Sequence, residues 1–405
     1  MEMGDAVKCL PTGKKSLAGS LVVTAFFLGF IGFFALMMGM FRSLSSAIPM
    51  TMTLGFTGSM LFMMLHTGNV YKWRNLFFMA YAVFFVISFI WDLLETRGHI
   101  WLLDAESLNQ GAPMCHIVVP MLLFPLAAGQ GVIFPTEFGS AFFMILVVLA
   151  TTLVFGRGFC SWVCFYGGQE TLVSSLPKKR RWALKKPHRT ALYFPFGMLL
   201  FIVITSFLTL SPIYCIWFCP FKSTTEFFEV NSALRVLQTF LFFGLWLLLV
   251  VMLPFLTKRR TQCSFFCPMG AFFSLGNFVS PFRIRIDREK CTDCGKCISV
   301  CPTYSLNKET LTKGKARITC TKCGACVTAC SQGAIGFGMR GVSFTASSHP
   351  LLLERSRVGF WRRLAADLFE PGTIFIFGIF ATGTVMASQF FVFPFAHILG
   401  MLGVR

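Results

Sequence analysis

Charge is what this sequence has least of. Asp, Glu, Lys and Arg together make up 13% of its 405 residues, about half the share usual in soluble domains. Acidic side chains are the scarcer sign, 17 against 36 basic ones, which leaves a net charge of +19. So little charge excludes an ordinary soluble protein, and it excludes a disordered chain, whose composition runs the other way. Low-complexity and collagen-like tracts are absent. Histidine is sparse at six residues, and no two sit on facing apolar runs as a bis-histidine haem would require. Neither a Gly-rich nucleotide fingerprint nor a nucleophile motif is present, so flavin and nicotinamide sites are not indicated.

What fills the chain instead is apolar: 55% of residues are hydrophobic and 50 are Phe. Apolar runs near 18–41, 49–66, 76–94, 138–156, 191–210, 234–256 and 372–393 match the roughly 20 residues that one bilayer crossing needs. Lys and Arg near crossing ends stay on the cytoplasmic side. Lys14 and Lys15, then Lys72 and Arg74, then the run 178–189, then Lys258, Arg259 and Arg260 mark every second connection. The N-terminus is therefore expected inside, with the first run a retained signal anchor. The stretch 117–135 carries Pro120, Pro125 and Pro135 and is read as re-entrant or interfacial on the outer side. The basic run 178–189 is read as touching anionic lipid, not nucleic acid.

Residues 281–340 differ in kind, being polar, basic and rich in cysteine. The expected fold is an α-helical integral membrane protein of about seven crossings with an inserted small α+β two-cluster bacterial-type ferredoxin domain. Its parts are a membrane domain over 1–280, the cysteine-rich domain over 281–340, and an interfacial helix with the final crossing over 341–405. By parity 281–340 lies in the cytoplasm, on the inner membrane of the cell. Repetition within the chain is expected only inside that domain.

Sixteen cysteines carry the chemistry. Eight form two matching runs, Cys291-x2-Cys294-x2-Cys297-x3-Cys301 and Cys320-x2-Cys323-x2-Cys326-x3-Cys330. In this spacing three thiolates wrap one cubane and the fourth ligates the other. One [4Fe-4S] cluster is then assigned to Cys291, Cys294, Cys297 and Cys330, and a second to Cys320, Cys323, Cys326 and Cys301. Structural zinc needs only four ligands and would leave the remaining cysteines without a role; a disulfide framework suits neither this spacing nor a reducing compartment.

Six more form three C-x3-C pairs: Cys160/Cys164, Cys215/Cys219 and Cys263/Cys267. On a helix such Cβ atoms lie about 5–6 Å apart, too far for the ~3.5–4.5 Å of a disulfide. Parity sets Cys160, Cys164, Cys263 and Cys267 together at the cytoplasmic boundary as candidate ligands of a further iron–sulfur cluster, with metal-free redox thiols and plain structural cysteines as the alternatives. Cys215/Cys219 falls on the opposite side with Cys115, and Cys9 has no assignable role. A quinone, if one binds, would find a proton acceptor in His116 or Glu137 of the outer region.

FCSWVC with the following GG and Glu170, then CSFFCPMGA, then the two four-cysteine runs resemble the membrane polyferredoxins, including NapH- and NosR-like proteins and the oxidase-assembly ferredoxins. The resemblance covers about 150–340. It implies electron transfer between a membrane quinol pool or soluble donor and a partner redox enzyme of a respiratory chain. Two other roles share these motifs: a maturation factor that reduces a metal or thiols for another complex, and a structural membrane anchor. Arg283, Arg285, Arg288, Lys313, Lys315 and Arg317 would favour an acidic partner or membrane docking.

Overall fold

The computed structural model describes residues 14–95, 141–182, 187, 189–209, 213–221, 232–341 and 360–404. The stretch 117–135, together with Cys9, Cys115, His116 and Glu137, lies outside the described residues.

Seven helices among the described residues are long and apolar enough to cross a membrane. The chain begins with α1 (Leu17–Met37), α2 (Leu44–Thr67), α3 (Val70–Glu95) and α4 (Ala141–Phe155). A 3-10 turn, Gly156–Gly158, then leads into the short α5 (Phe159–Trp162) and α6 (Phe165–Ser175). After α7 (Arg189–Thr209) comes a π-helical turn, Tyr214–Phe218. Helix α8 (Ala233–Leu245) runs on through π-helical Trp246–Met252 to Thr257, and α9 (Thr261–Phe265) and α10 (Pro268–Val279) follow. The cysteine-rich region supplies β1 (Phe282–Ile286), α11 (Lys296–Val300), α12 (Lys308–Thr312), α13 (Ala325–Ala329) and β2 (Ile335–Met339). The chain ends with α14 (Phe360–Phe369) and α15 (Pro371–Met401).

Local chemistry explains the helix ends. Ser16 accepts from the amide of Gly19 at 3.0 Å and caps α1; Gly68, at φ +70°, closes α2; Pro371 opens α15 where its missing N–H costs nothing. Helices α2, α3 and α15 pack on one another, with α1 against α2 and α15. Rings fill the seam: Phe380 stacks on Phe27 at 5.4 Å and meets Phe77 edge-on at 4.7 Å. Outward faces stay apolar, with Phe26, Phe33, Leu208 and Phe240 all more than half exposed. Soluble proteins rarely leave apolar surface open on this scale.

The cysteine-rich region is a small α+β unit. Its strands pair antiparallel, Phe282 opposite Met339 and Ile286 opposite Ile335. Ile284, Ile286, Leu306, Leu311, Val327 and Ile335 form its core together with buried cysteines. It sits against the N-terminal ends of α3 and α15: Val70 packs on Gly324, and Phe337 stacks on Phe375 at 5.0 Å.

Two sequence expectations change. Arg74, read as a loop charge after the second crossing, lies inside α3 and is buried, donating to the carbonyl of Ser161. Arg259 and Arg260, read likewise, are buried as well. Hydropathy treats every arginine as water-seeking, whereas a guanidinium with enough carbonyl partners can be held inside.

Candidate metal centres

The two cysteine runs fold alike. In each C-x2-C-x2-C loop the residue before the second cysteine and the glycine after it take positive φ: Asp293 at 51° and Gly295 at 70°, Lys322 at 50° and Gly324 at 82°. Such left-handed turns curl the backbone around a concave anionic or metal-thiolate site. Each run then makes one short helix and ends on an extended cysteine, Cys301 at ψ 114° and Cys330 at ψ 105°. That extended exit sends the fourth cysteine away from its own loop.

The result is exchange between the runs. Cys291, Cys294 and Cys297 share one cavity with Cys330, closed beneath by Leu311 and Ile335. Cys301 instead neighbours Cys320, Cys323 and Cys326. Burial pushes the Cys297 thiol up to about 11 and the Cys320 thiol up to about 12, with neighbouring cysteines adding to each. Buried thiols of this kind stay protonated unless a metal takes the proton's place. Among the described residues no three Cys, His, Asp or Glu side chains gather at a single-ion position. The first set rings a cavity, which suits the separated corners of a cubane. Cys294 is exposed, whereas Cys301, Cys323 and Cys326 are buried, so the first set faces solvent and the second faces the helices.

Cys160, Cys164, Cys263 and Cys267 converge although 103 residues separate Cys160 from Cys263. Their sulfurs are electrostatic neighbours of one another. Each pair sits at a bend between a short helix and a longer one: Cys164 precedes α6 at ψ 109° and Cys267 precedes α10 at ψ 115°. Helix α10 returns to the cysteine-rich region, where Asn277 donates to the carbonyl of Cys320 at 3.0 Å. Helix α10 thus folds back against α4 and α7. Cys164 neighbours Tyr81 of α3, and Trp162 packs on Gly383 of α15. At about 1.5 Å per residue those positions lie roughly 16–18 Å into the helix layer.

Buried cations line this centre. Arg157 donates to the carbonyl of Cys263, and Arg260 donates to the carbonyl of Cys160 at 2.7 Å and to the Cys263 sulfur at 3.0 Å. Glu170 is fully buried and accepts from the amides of Gln262 at 2.6 Å and Cys263 at 3.1 Å, with Arg260 Nε 3.8 Å away. It pins the two motifs together.

The second run of cysteines is bolted directly onto the four. Arg157 also donates to the carbonyl of Thr319 at 3.1 Å, Arg259 to that of Cys301 at 2.9 Å, and the Trp162 indole to that of Lys322 at 3.1 Å. The Lys322 ammonium reaches the Phe155 carbonyl at 2.7 Å, Asn277 at 2.8 Å and Ser280 at 2.9 Å. Burial brings this lysine down to about 7, against the opposing pull of Cys320.

The turn that carries the middle pair, expected on the opposite side, contacts the other two motifs. Tyr214, beside Cys215, accepts a bond from Gln262 at 3.4 Å, and Phe221, beyond Cys219, stacks on Tyr166 at 4.1 Å. Cys219 is buried. This turn follows α7 in the chain and reaches the other two motifs.

Arg157, Trp162 and Lys322 were not singled out from sequence, and Arg260 was read only as a connection charge. One signal was available: Arg stands three residues before Cys160 and before Cys263, and Gly stands three after Cys164 and after Cys267.

Comparison with known proteins agrees with the cysteine pattern. Residues 283–341 match the family described as a 4Fe-4S dicluster domain. Residues 138–182, 190–235 and 239–286 each match the family described as a 4Fe-4S binding domain. Each of the three copies holds one C-x3-C pair, so repetition extends well beyond the region to which sequence inspection confined it. The chain carries iron–sulfur binding domains. It is also 26% identical over 190 residues to electron transport protein YccM of Escherichia coli (strain K12), itself a provisional assignment, covering 45% of this chain. The match spans about half, 50%, of that relative. No solved structure matches.

Proposed function

We propose that the chain is a membrane-embedded iron–sulfur protein that relays single electrons between a quinol pool or soluble donor and a partner redox enzyme. The observation that carries this reading is contiguity. A solvent-facing set of four cysteines adjoins a buried set, and the buried set is hydrogen-bonded to a third set within the helix layer. Cys291, Cys294, Cys297 and Cys330 would hold one [4Fe-4S] cluster; Cys320, Cys323, Cys326 and Cys301 the second; Cys160, Cys164, Cys263 and Cys267 a further one. When bound, such clusters accept and release one electron at a time. The chain's part is to hold the thiolates, exclude water with Phe and Trp side chains, and supply guanidinium charge. The C-x3-C matches to a 4Fe-4S binding domain and the likeness to YccM support this reading.

The apolar outward faces support insertion in the inner membrane, and the basic connections support a cytoplasmic 281–340 region. A quinone site with His116 or Glu137 as its proton acceptor rests on sequence alone.

Iron and sulfide analysis with EPR on anaerobically purified full-length protein tests the relay. More iron than two cubanes supply is expected. Cys164→Ser or Cys267→Ser should lower it while leaving the signals of the 281–340 region in place. Iron for two cubanes only, with ready alkylation of Cys160, Cys164, Cys263 and Cys267, would remove the inner stop and favour the maturation role.

A further inference from the structure

Two of the three C-x3-C motifs share more than their cysteines. Read outward from each pair, Arg157-x2-Cys160-x3-Cys164-x2-Gly167 matches Arg260-x2-Cys263-x3-Cys267-x2-Gly270. The middle copy has Pro212 in place of the arginine and Lys222 in place of the glycine. The structure makes the match reciprocal. Arg157 of the first motif bonds the Cys263 carbonyl of the third, and Arg260 of the third bonds the Cys160 carbonyl of the first. The glycines belong to the same device: Gly167 lies against Arg260 and the Cys160 carbonyl, Gly270 against Arg157 and the Cys263 carbonyl. A side chain at either glycine would displace the guanidinium. The site is built as two equivalent halves, each contributing two thiols, one guanidinium and one glycine that makes room for the other half's guanidinium.

A cluster bound by four thiolates is net anionic, and charge inside a low-dielectric helix layer is costly unless compensated. Arginine stays charged under all accessible conditions. Arg157 and Arg260 are each 2% exposed, so their charge is little screened by water. We propose that Arg157 and Arg260 act as a matched charge-compensating pair for the Cys160, Cys164, Cys263 and Cys267 centre, favouring its reduced state and so raising its potential. The halves differ in one respect. Arg260 shares its charge with Glu170 at 3.8 Å, whereas Arg157 spends its second bond on the Thr319 carbonyl, one residue before Cys320. Arg157 therefore also links the centre to the nearer ferredoxin cysteines.

This inference rests on the reading that those four cysteines hold a cluster. Redox-titrated EPR of the full-length protein separates the two ideas, with iron content measured on each sample. Arg157→Gln and Arg260→Gln should each lower the potential of the inner centre by at least about 59 mV, a tenfold change in its one-electron equilibrium. The signals from the 281–340 region should hold their potentials. Arg157→Lys and Arg260→Lys keep the charge and should recover most of the shift. If a Gln variant loses the inner iron, recovery of that iron in the Lys variant supports charge compensation, and continued loss overturns it. An unchanged potential in the Gln variants, or equal shifts in Gln and Lys variants, overturns it too. Iron for only two cubanes in the unmodified protein defeats the inner-cluster reading itself, and this proposal falls with it.

Discussion

The indole of Trp162 donates to the carbonyl of Lys322 at 3.1 Å. Trp162 lies between Cys160 and Cys164, and Lys322 lies between Cys320 and Cys323, so one hydrogen bond joins two candidate centres that are 160 residues apart in the chain. The ring is held side-on by Phe375 at 6.0 Å and Phe380 at 6.4 Å. Trp162→Phe should keep much of that packing and lose the bond. Leaving a buried carbonyl unpaired costs about 1–3 kcal/mol. We expect iron content to survive and electron passage between the inner centre and the second cubane to slow, read by freeze-quench EPR after a reductant pulse. Unaltered transfer in a fully loaded variant would show that this contact is structural only.

The ammonium of the same lysine bonds three groups of the helix layer. Lys322→Met removes all three, and one charge-assisted bond alone contributes about 1.5–3 kcal/mol. The 281–340 region should then loosen on the helices, visible as faster proteolysis at its margins. Asp293, the matching residue of the first loop, has no such role, and Asp293→Ala should leave proteolysis as it was.

Gly270→Ala tests the fit of the guanidinium. Its Cβ would stand 3.0 Å from Arg157 Nη2 and 3.0 Å from the Cys263 carbonyl oxygen. Overpacking of this kind typically costs about 1–3 kcal/mol. The expected result is a lower melting temperature and partial loss of iron from the inner centre. Gly197, with nothing within 4 Å of its added Cβ, provides the control, and Gly197→Ala should do neither.

Loading with iron should favour alkali. Ligation requires thiolates, and burial holds the Cys297 and Cys320 thiols up at about 11 and 12. Each ligand below its pKa must release a proton on binding, and each proton released changes the affinity about tenfold per pH unit. Affinity therefore rises with pH through the whole range below those values. Reconstitution of stripped protein followed by absorbance at pH 6.5 and 8.5 reads the slope; a flat profile would mean that the thiols are already ionised.

Much of this was legible in the sequence, for identifiable reasons. Apolar runs mark helices because lipid-length segments need no partner to be recognised, and the eight cysteines of 291–330 are local enough for spacing to indicate which of them lie together. The long-range features were harder. Cys160 and Cys263 meet only because the bends that follow α4 and α8 pack on one another, which neither spacing nor hydropathy encodes. Arg74, Arg157, Arg259 and Arg260 look like boundary charges until their carbonyl partners are known. The three-fold repeat was masked by its middle copy, which has lost both the arginine and the glycine.

The sidedness of the molecule offers the last test. Cys294 is the exposed member of the solvent-facing set, whereas Gly324 and Phe337 of the cysteine-rich region pack on Val70 and Phe375 of the helices. Exposed Lys178, Lys179 and Arg180 lie near the same region, where Arg180 donates to the carbonyl of Ser299 at 2.9 Å. Basic residues beside crossing ends remain cytoplasmic, so Cys294 should face the cytoplasm. After chelation of iron, a membrane-impermeant maleimide should label Cys294 in inverted vesicles and leave it untouched in intact spheroplasts. Cys294→Ser should remove most of the label, because Cys297, Cys301, Cys323 and Cys326 are buried. Labelling from the outside would invert the chain, place both cubanes on the outer face, and require a partner enzyme there instead.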